Sequence, residues 1–159
     1  IQGIEAGIVS GVIISIALHL WRNSRPHIAI VGRIGDTEHF RNVERHQVKT
    51  CAGVLALRID ESLFFANAQY LENFILSVIA EKQNVKDIVL ICSAVNAIDT
   101  SALESLENLA ADLGNAGVIL NLAEVKGPVM DRLSRINLVD HLGKTYLSTH
   151  DAFPNLTCA

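Results

Sequence analysis

The residues best placed to do chemistry lie in one stretch, Asn96-Ala97-Ile98-Asp99-Thr100-Ser101-Ala102-Leu103. Here a carboxylate is followed by two hydroxyls, between a candidate buried strand and the start of a candidate helix. Strand ends in α/β sheets are where ligands and partners dock. The positive end of a helix also favours a negative group such as a phosphate. A phosphoryl group on Thr100 or Ser101 would therefore be electrostatically tolerated. The same residues read equally as helix punctuation: Ser101-Ala102-Leu103-Glu104 matches a capping box, and Asp99 or Thr100 could cap as well. Spacing favours capping, and one residue can serve both purposes.

Other chemistry is not signalled. The chain has no G-x-x-x-x-G-K-[ST] phosphate loop, no G-x-G-x-x-G, no H-E-x-x-H and no G-x-S-x-G. Its six histidines are scattered. His39 and His46 share a polar segment, but no further ligands cluster there, so they read as solvated surface residues. The three cysteines, Cys51, Cys92 and Cys158, are odd in number and widely spaced. That pattern fits neither a disulfide framework nor a zinc site, and predicts free thiols in a reducing compartment. Neither an enzyme nor a metal or organic cofactor is expected.

The elements that would position Asp99, Thr100 and Ser101 are legible from periodicity. The chain has 159 residues, of which 50% are hydrophobic and 19% charged, enough for one folded domain with a core. From residue 53 strands and helices alternate. Val54–Ile59 and Leu63–Ala66 read as an early hairpin around Asp60-Glu61. Asn67 is expected to cap a helix running to about Lys82, with Leu71, Phe74, Ile75, Val78 and Ile79 on one face. Ile88–Cys92 reads as a buried strand and Thr100–Leu113 as a helix, with Gly114 and Gly117 available to end it. Val118–Ala123 is a further strand. Pro128 opens a third helix, buried through Val129, Met130, Leu133 and Ile136. Lys144–Leu147 is a last short strand, and Thr149–Phe153 starts a terminal helix. This order predicts an α/β domain: a mixed sheet of four to six strands, mostly parallel, with amphipathic helices packed on it.

The high mean hydropathy of +0.32 is concentrated at the start of the chain. Ile4 to Trp21 is apolar apart from Glu5 and His19, near the lower length for a membrane-spanning helix. Gly7, Ser10, Gly11 and Ser15 suit close helix packing in a membrane. Trp21 followed by Arg22 and Arg25 forms an interfacial belt with its basic, cytoplasmic flank. A signal peptide would need a basic start and a small-residue cleavage site, and neither is visible. A buried helix of a soluble protein is the other alternative, and Glu5 would need a partner or a watery cavity within a span. The chain begins at Ile1 without an initiator Met, which predicts a fragment or a processed product.

Charge is distributed to match. Residues 1–50 carry six Lys/Arg against four Asp/Glu, and residues 51–159 carry seven against thirteen. An acidic body argues against a nucleic-acid partner, and the basic stretch lies where a membrane surface would place it. The predicted organisation is residues 1–22 as the end of a transmembrane helix, 23–52 as a juxtamembrane linker and 53–159 as the folded domain.

These pieces, in this order, resemble the C-terminal part of the SulP family of anion transporters. Ser24-Arg25-Pro26-His27-Ile28-Ala29-Ile30-Val31-Gly32-Arg33, followed by Asp36-Thr37-Glu38-His39-Phe40-Arg41-Asn42, looks like that family's link after its last membrane helix. Leu63-Phe64-Phe65-Ala66-Asn67-Ala68 resembles its strand-to-helix junction. Ile98-Asp99-Thr100-Ser101-Ala102-Leu103 resembles the signature of the sulphate transporter and anti-sigma-factor antagonist (STAS) domain. The resemblance implies a cytoplasmic regulatory and assembly domain of a secondary transporter of sulphate, bicarbonate or dicarboxylate in the cell (inner) membrane. Its implied partners are the upstream membrane domain of the same chain, a second copy of the transporter, the bilayer through residues 4–21, and a cytosolic regulatory protein. In free-standing antagonists the phosphorylated serine falls on Ser101, which makes Asp99, Thr100 and Ser101 a regulatory loop. This chain has Thr100 where many antagonists have Ser, and Ala102 where they have Gly. The competing readings are a soluble partner-switch protein controlled at Ser101 and a nucleotide- or small-molecule-binding module at the Asp99–Ser101 helix start.

Overall fold

The computed structural model describes residues 2–153 except residue 83, residues 136–137 and residues 139–141. Its elements run α1 (Gln2–Asn23), β1 (Ile28–Arg33), β2 (Phe40–Asn42), β3 (Val54–Ile59), α2 (Phe65–Glu81), β4 (Asp87–Ile91), α3 (Thr100–Asn115), β5 (Ile119–Ala123), α4 (Gly127–Arg135), β6 (Thr145–Tyr146) and α5 (Thr149–Ala152). The strands form one six-stranded sheet in the order β2-β1-β3-β4-β5-β6. Strands β3 to β6 are parallel, and β1 is antiparallel to both β2 and β3.

Side-chain alternation along each strand explains the layers. Leu55, Leu57, Ile59, Ile88, Leu90, Leu120 and Leu122 point to one face, where they join the buried sides of α2, α3 and α4. The intervening Val54, Ala56, Val89, Ile91 and Ala123 point to the other face, joining Ala29, Val31, Ala152 and Phe153. Because the two positions of a strand face opposite sides, a strand apolar at both must be covered on both faces, as parallel sheets are.

Two expectations are corrected here. Leu63–Ala66 is not the second strand of a hairpin. Leu63 makes an isolated parallel bridge to Ile98, and the helix has begun by Phe65. The antiparallel neighbour of β3 is β1, with Ile28, Ala29 and Ile30 opposite Ile59, Arg58 and Leu57. The reason lies in β3 itself: five of its six residues are buried, so it needs a full-length strand on each side. Residues 28–42, read from sequence as part of a connector in which the apolar run His27–Val31 could be extended, thus supply the sheet's antiparallel edge. Gly32 permits the crossing of residues 48–49, since a Cβ there would lie 2.7 Å from Val48 Cγ2 and 2.8 Å from the Lys49 carbonyl oxygen.

The second correction concerns the start of α2. Its N-cap is the extended Phe64, and Asn67 is already inside the helix. Asn67 acts from the third helical position: the Phe64 N–H donates to its Oδ1 (3.0 Å), while its Nδ2 donates to the Ser62 carbonyl (2.8 Å). The fully buried amide therefore has both ends partnered, as burial of a polar group requires.

Helix α3 runs through Gly114 to Asn115, so of the two glycines offered as caps only Gly117 ends it. Gly117 has φ +75°. The Val118 N–H donates to Leu113 O (2.8 Å) and the Gly117 N–H to Gly114 O (3.0 Å), the pairing of a Schellman motif.

The cysteines depart from expectation in part. Cys92 is free and buried, and its thiol is pushed up to about 12 by burial and by the nearby Glu124 carboxylate. Cys51 is disulfide-bonded. Spacing along a chain does not disclose which thiols the fold brings within bonding distance. Cys158 and Ile136 lie outside the described residues.

Helix α1 spans 22 residues, so its length is roughly 33 Å at 1.5 Å per residue, close to the ~30 Å of a bilayer hydrocarbon core. Residues 3–22 are exposed throughout, including Ile8, Val12, Ile13, Ile16 and Leu18. Pro26 is buried just beyond it, which marks where the chain enters the folded body.

Candidate functional site

The carboxyl ends of β3, β4 and β5 meet at one edge of the sheet, and the segments leaving them are tied together by polar contacts. Ser62 Oγ accepts from the backbone N–H groups of Asn96 and Ala97, both at 3.2 Å. The Leu63 N–H donates to Ala97 O (3.0 Å) and the Asp99 N–H to Leu63 O (3.1 Å). From the far side, Lys126 Nζ donates to Asn96 Oδ1 and Arg132 Nη1 to Ile98 O.

Asp99 is the centre of this arrangement. It is the N-cap of α3, and its Oδ1 accepts from the Ala102 N–H at 2.8 Å. Its Oδ2 accepts from the Phe65 N–H at 2.9 Å, in the first turn of α2. One carboxylate therefore closes the N-termini of two helices. Each helix leaves its first N–H groups without internal partners and carries a partial positive charge there, so the anion is stabilised twice.

Thr100 and Ser101, the other two residues of the sequence-predicted loop, occupy the first turn of α3 and are exposed. The three residues are contiguous, but their environments differ: the carboxylate is committed to the backbone, and the hydroxyls face solvent. Among the described residues no group of three or more His, Cys, Asp or Glu side chains is placed to hold a metal. His39 and His46 are exposed in the segment between β1 and β3.

A second polar cluster fastens the entering chain to the sheet, and sequence reasoning missed it. Arg58 Nε donates to Asp60 Oδ1 (2.7 Å) and Arg58 Nη2 to Asp60 Oδ2 (3.2 Å). His27 Nδ1 donates to the same Oδ2 (2.8 Å), and the Asp60 N–H donates to His27 O (3.1 Å). Burial raises the Asp60 carboxyl, but the hydrogen bonds from Arg58 and His27 and their charges outweigh it and hold the group below its ordinary value. A carboxyl depressed on folding stabilises above its unfolded value, ~3.9, and loses that contribution as pH falls through the lower folded value. Asp60→Asn is accordingly expected to lower the melting temperature at neutral pH and to flatten its decline below about pH 4. Superimposable melting-temperature profiles of the two proteins from neutral to acid pH would show that the cluster contributes nothing.

Two further residues at this edge carry no sequence signal. Glu124 has φ +57°, a region sparsely used by non-glycine residues. It accepts from Thr149 Oγ1 (2.6 Å) and the Thr149 N–H (3.2 Å), tying the end of β5 to α5. Trp21, Arg22 and Arg25 lie around the end of α1, where the chain enters β1 beside the carboxyl end of β3.

A mixed sheet with crossover helices on one face, and a bridged strand-to-helix loop at its carboxyl edge, defines the STAS fold. The chain belongs to the STAS domain family, whose model matches residues 45–152. It is similar to sulfate transporter 3.1 of Arabidopsis thaliana, 36% identical over 155 residues, covering 91% of this chain and 24% of that protein. The chain spans about a quarter of the length of the curated relatives it matches. Among solved structures it resembles murine solute carrier 26 family member A9, an anion transporter in an inward-facing state. That match has a TM-score of 0.81 and 21% identity over 94% of this chain and 25% of that one. A proposed anti-sigma factor antagonist of Thermotoga maritima shares the fold with a TM-score of 0.59 and 23% identity, covering 67% of this chain and 90% of that one.

Proposed function

We propose that this chain is the C-terminal end of a membrane anion transporter of the sulphate type. In this reading α1 completes the last membrane span, and residues from about 24 onward form a cytoplasmic domain for regulation and assembly. The observation that carries it is the helix Gly3–Asn23: long and apolar enough to cross a membrane, without a buried residue, and joined directly to a STAS fold. Burying one leucine-sized side chain is worth about 1.5–3 kcal/mol, so a helix exposing this many is suited to an apolar surrounding rather than water. Trp21, Arg22 and Arg25 sit at the membrane–cytoplasm boundary. The relatives' name as sulfate transporters supports the substrate class, with bicarbonate and dicarboxylate as the other anions to test. The domain's own role is non-catalytic: it docks on the membrane domain of its chain, supports a dimer of the transporter and receives a cytosolic regulator. Asp99, Thr100 and Ser101 form the regulatory loop, with Ser101, one of its two exposed hydroxyls, as the regulated one.

The test is reconstitution of the longer gene product in liposomes, with uptake of sulphate, bicarbonate and dicarboxylate followed in turn. Because β1 and β2 belong to the sheet, the truncation should fall after Asn23; a cut at residue 53 would strand both. Uptake of one anion, weakened by that truncation, is the expected result. A folded, inserted protein that moves none of the three would remove the transporter reading.

The second reading is a soluble partner switch controlled at Ser101, favoured by the exposed first turn of α3. It gives α1 no role. Recovery of the intact chain in the soluble fraction, rather than with membranes, would support it instead.

A further inference from the structure

At the end of α1 the side chains of Leu18, Trp21, Arg22 and Arg25 line a shallow cleft that is open to its surroundings and has no wall facing them. Leu18, Trp21 and Arg22 are three and four residues apart on α1 and so share one face, and Arg25, just beyond the helix end, reaches the same cleft. The cleft is chemically graded along the axis: Leu18 and Trp21 are exposed apolar surface, and the two guanidinium groups lie at the end nearer the folded domain.

Three features leave those cations available. Among the described residues neither Arg22 nor Arg25 has an ion-pair partner. Two of the helix's terminal carbonyls are occupied by Ser24 rather than by these cations: the Ser24 N–H donates to Leu20 O (2.9 Å), and Ser24 Oγ donates to Trp21 O (2.7 Å). The guanidinium of Arg25 lies over the Trp21 ring, 5.9 Å from its centroid. Stacking uses the face of a guanidinium and leaves its in-plane N–H fork free for phosphate oxygens. The neighbouring face differs, because His19 and Asn23 there hydrogen-bond to each other at 2.9 Å.

We infer that this cleft is a binding site for an anionic phospholipid of the cytoplasmic leaflet, its phosphate held by Arg22 and Arg25 and its chain lying along Trp21 and Leu18. The inference rests on the membrane reading of α1 and adds to it a selective site on one helix face. A bilayer-facing helix needs only apolar surface; paired, unneutralised guanidinium groups above an apolar stripe match an amphipathic anion.

Trp21 is the chain's one tryptophan, so its fluorescence reports on this cleft alone. The 159-residue chain is reconstituted into phosphatidylcholine vesicles containing phosphatidylglycerol, with bromine on the acyl chains of one lipid or the other at equal mole fraction. Flotation of the vesicles measures insertion separately. Brominated phosphatidylglycerol is expected to quench Trp21 with an association constant above that of brominated phosphatidylcholine by about 5-fold if one arginine engages it and roughly 30-fold if both do, given ~1 kcal/mol per basic residue at an anionic surface. Arg22→Gln/Arg25→Gln should reduce the ratio to near one while flotation is unchanged. Equal quenching of the wild-type chain by both lipids, with normal flotation, would overturn the site and leave the membrane reading intact. Failure to float would overturn both.

Discussion

Replacing Leu103 with Asp is expected to unfold the domain or bring it to the edge of unfolding. Leu103 is 5% exposed and sits on the buried side of α3 with Ala102, Leu106, Leu109, Ala110 and Leu113, against leucines and isoleucines of the sheet. The described residues that form the core cluster with it are apolar, so a carboxylate there would be buried among them. Burying an unpaired charge belongs to the short list of changes that cost more than about 4 kcal/mol, a large share of a domain's typical 5–15 kcal/mol. Circular dichroism during thermal and urea unfolding measures it. Leu103→Met, which nearly conserves volume, should cost less than about 1.5 kcal/mol and separates charge from shape. An unchanged melting temperature for Leu103→Asp would mean that α3 packs with a different face.

The second large effect is expected at Asp99. Asp99→Ala removes the acceptor for the Ala102 N–H and the Phe65 N–H together. An N-cap is worth typically ~1 kcal/mol and up to about 2, so the loss of two should total roughly 2–4 kcal/mol. Asp99→Asn keeps one carbonyl oxygen but turns an N–H₂ toward the second donor, and should fall between. Ser101→Ala, at an exposed position two residues away, should stay within about 0.5 kcal/mol. Urea unfolding of the three variants decides the point, and equal stability of Asp99→Ala and Ser101→Ala would refute the shared cap. The comparison also bears on regulation. A defect in Asp99→Ala is accounted for by the fold, whereas one in the stable Ser101→Ala would locate signalling in the hydroxyl.

What could be read before the fold was known follows from local chemistry. The stripes of α2 and α3, the runs Val54–Ile59 and Ile88–Cys92, the glycine that ends α3 and the apolar stretch before Trp21 each concern residues within a turn or two of one another. Periodicity records which side of an element meets apolar surroundings, and an apolar run with a Trp-Arg flank needs no tertiary partner to be recognised. The candidate loop was legible for the same reason, since a carboxylate followed by two hydroxyls marks a helix start whatever lies opposite.

The sheet's partners were not legible. Whether β3 pairs with residues 63–66 or with 28–33 depends on which stretch can cover a strand buried on both faces, a property of the assembled sheet. Asp60 looks like a turn residue in the sequence, and only the return of His27 beside Arg58 makes it a clamp on the chain leaving α1. Asp99 shows the division most clearly. Its type and position made it a candidate cap for the helix that follows it. Its second task, closing α2 through an N–H 34 residues earlier, was decided by parallel strands that set two helix starts side by side. Hydrogen bonds form between groups near in space, and nearness across that many residues exists only once the chain has folded.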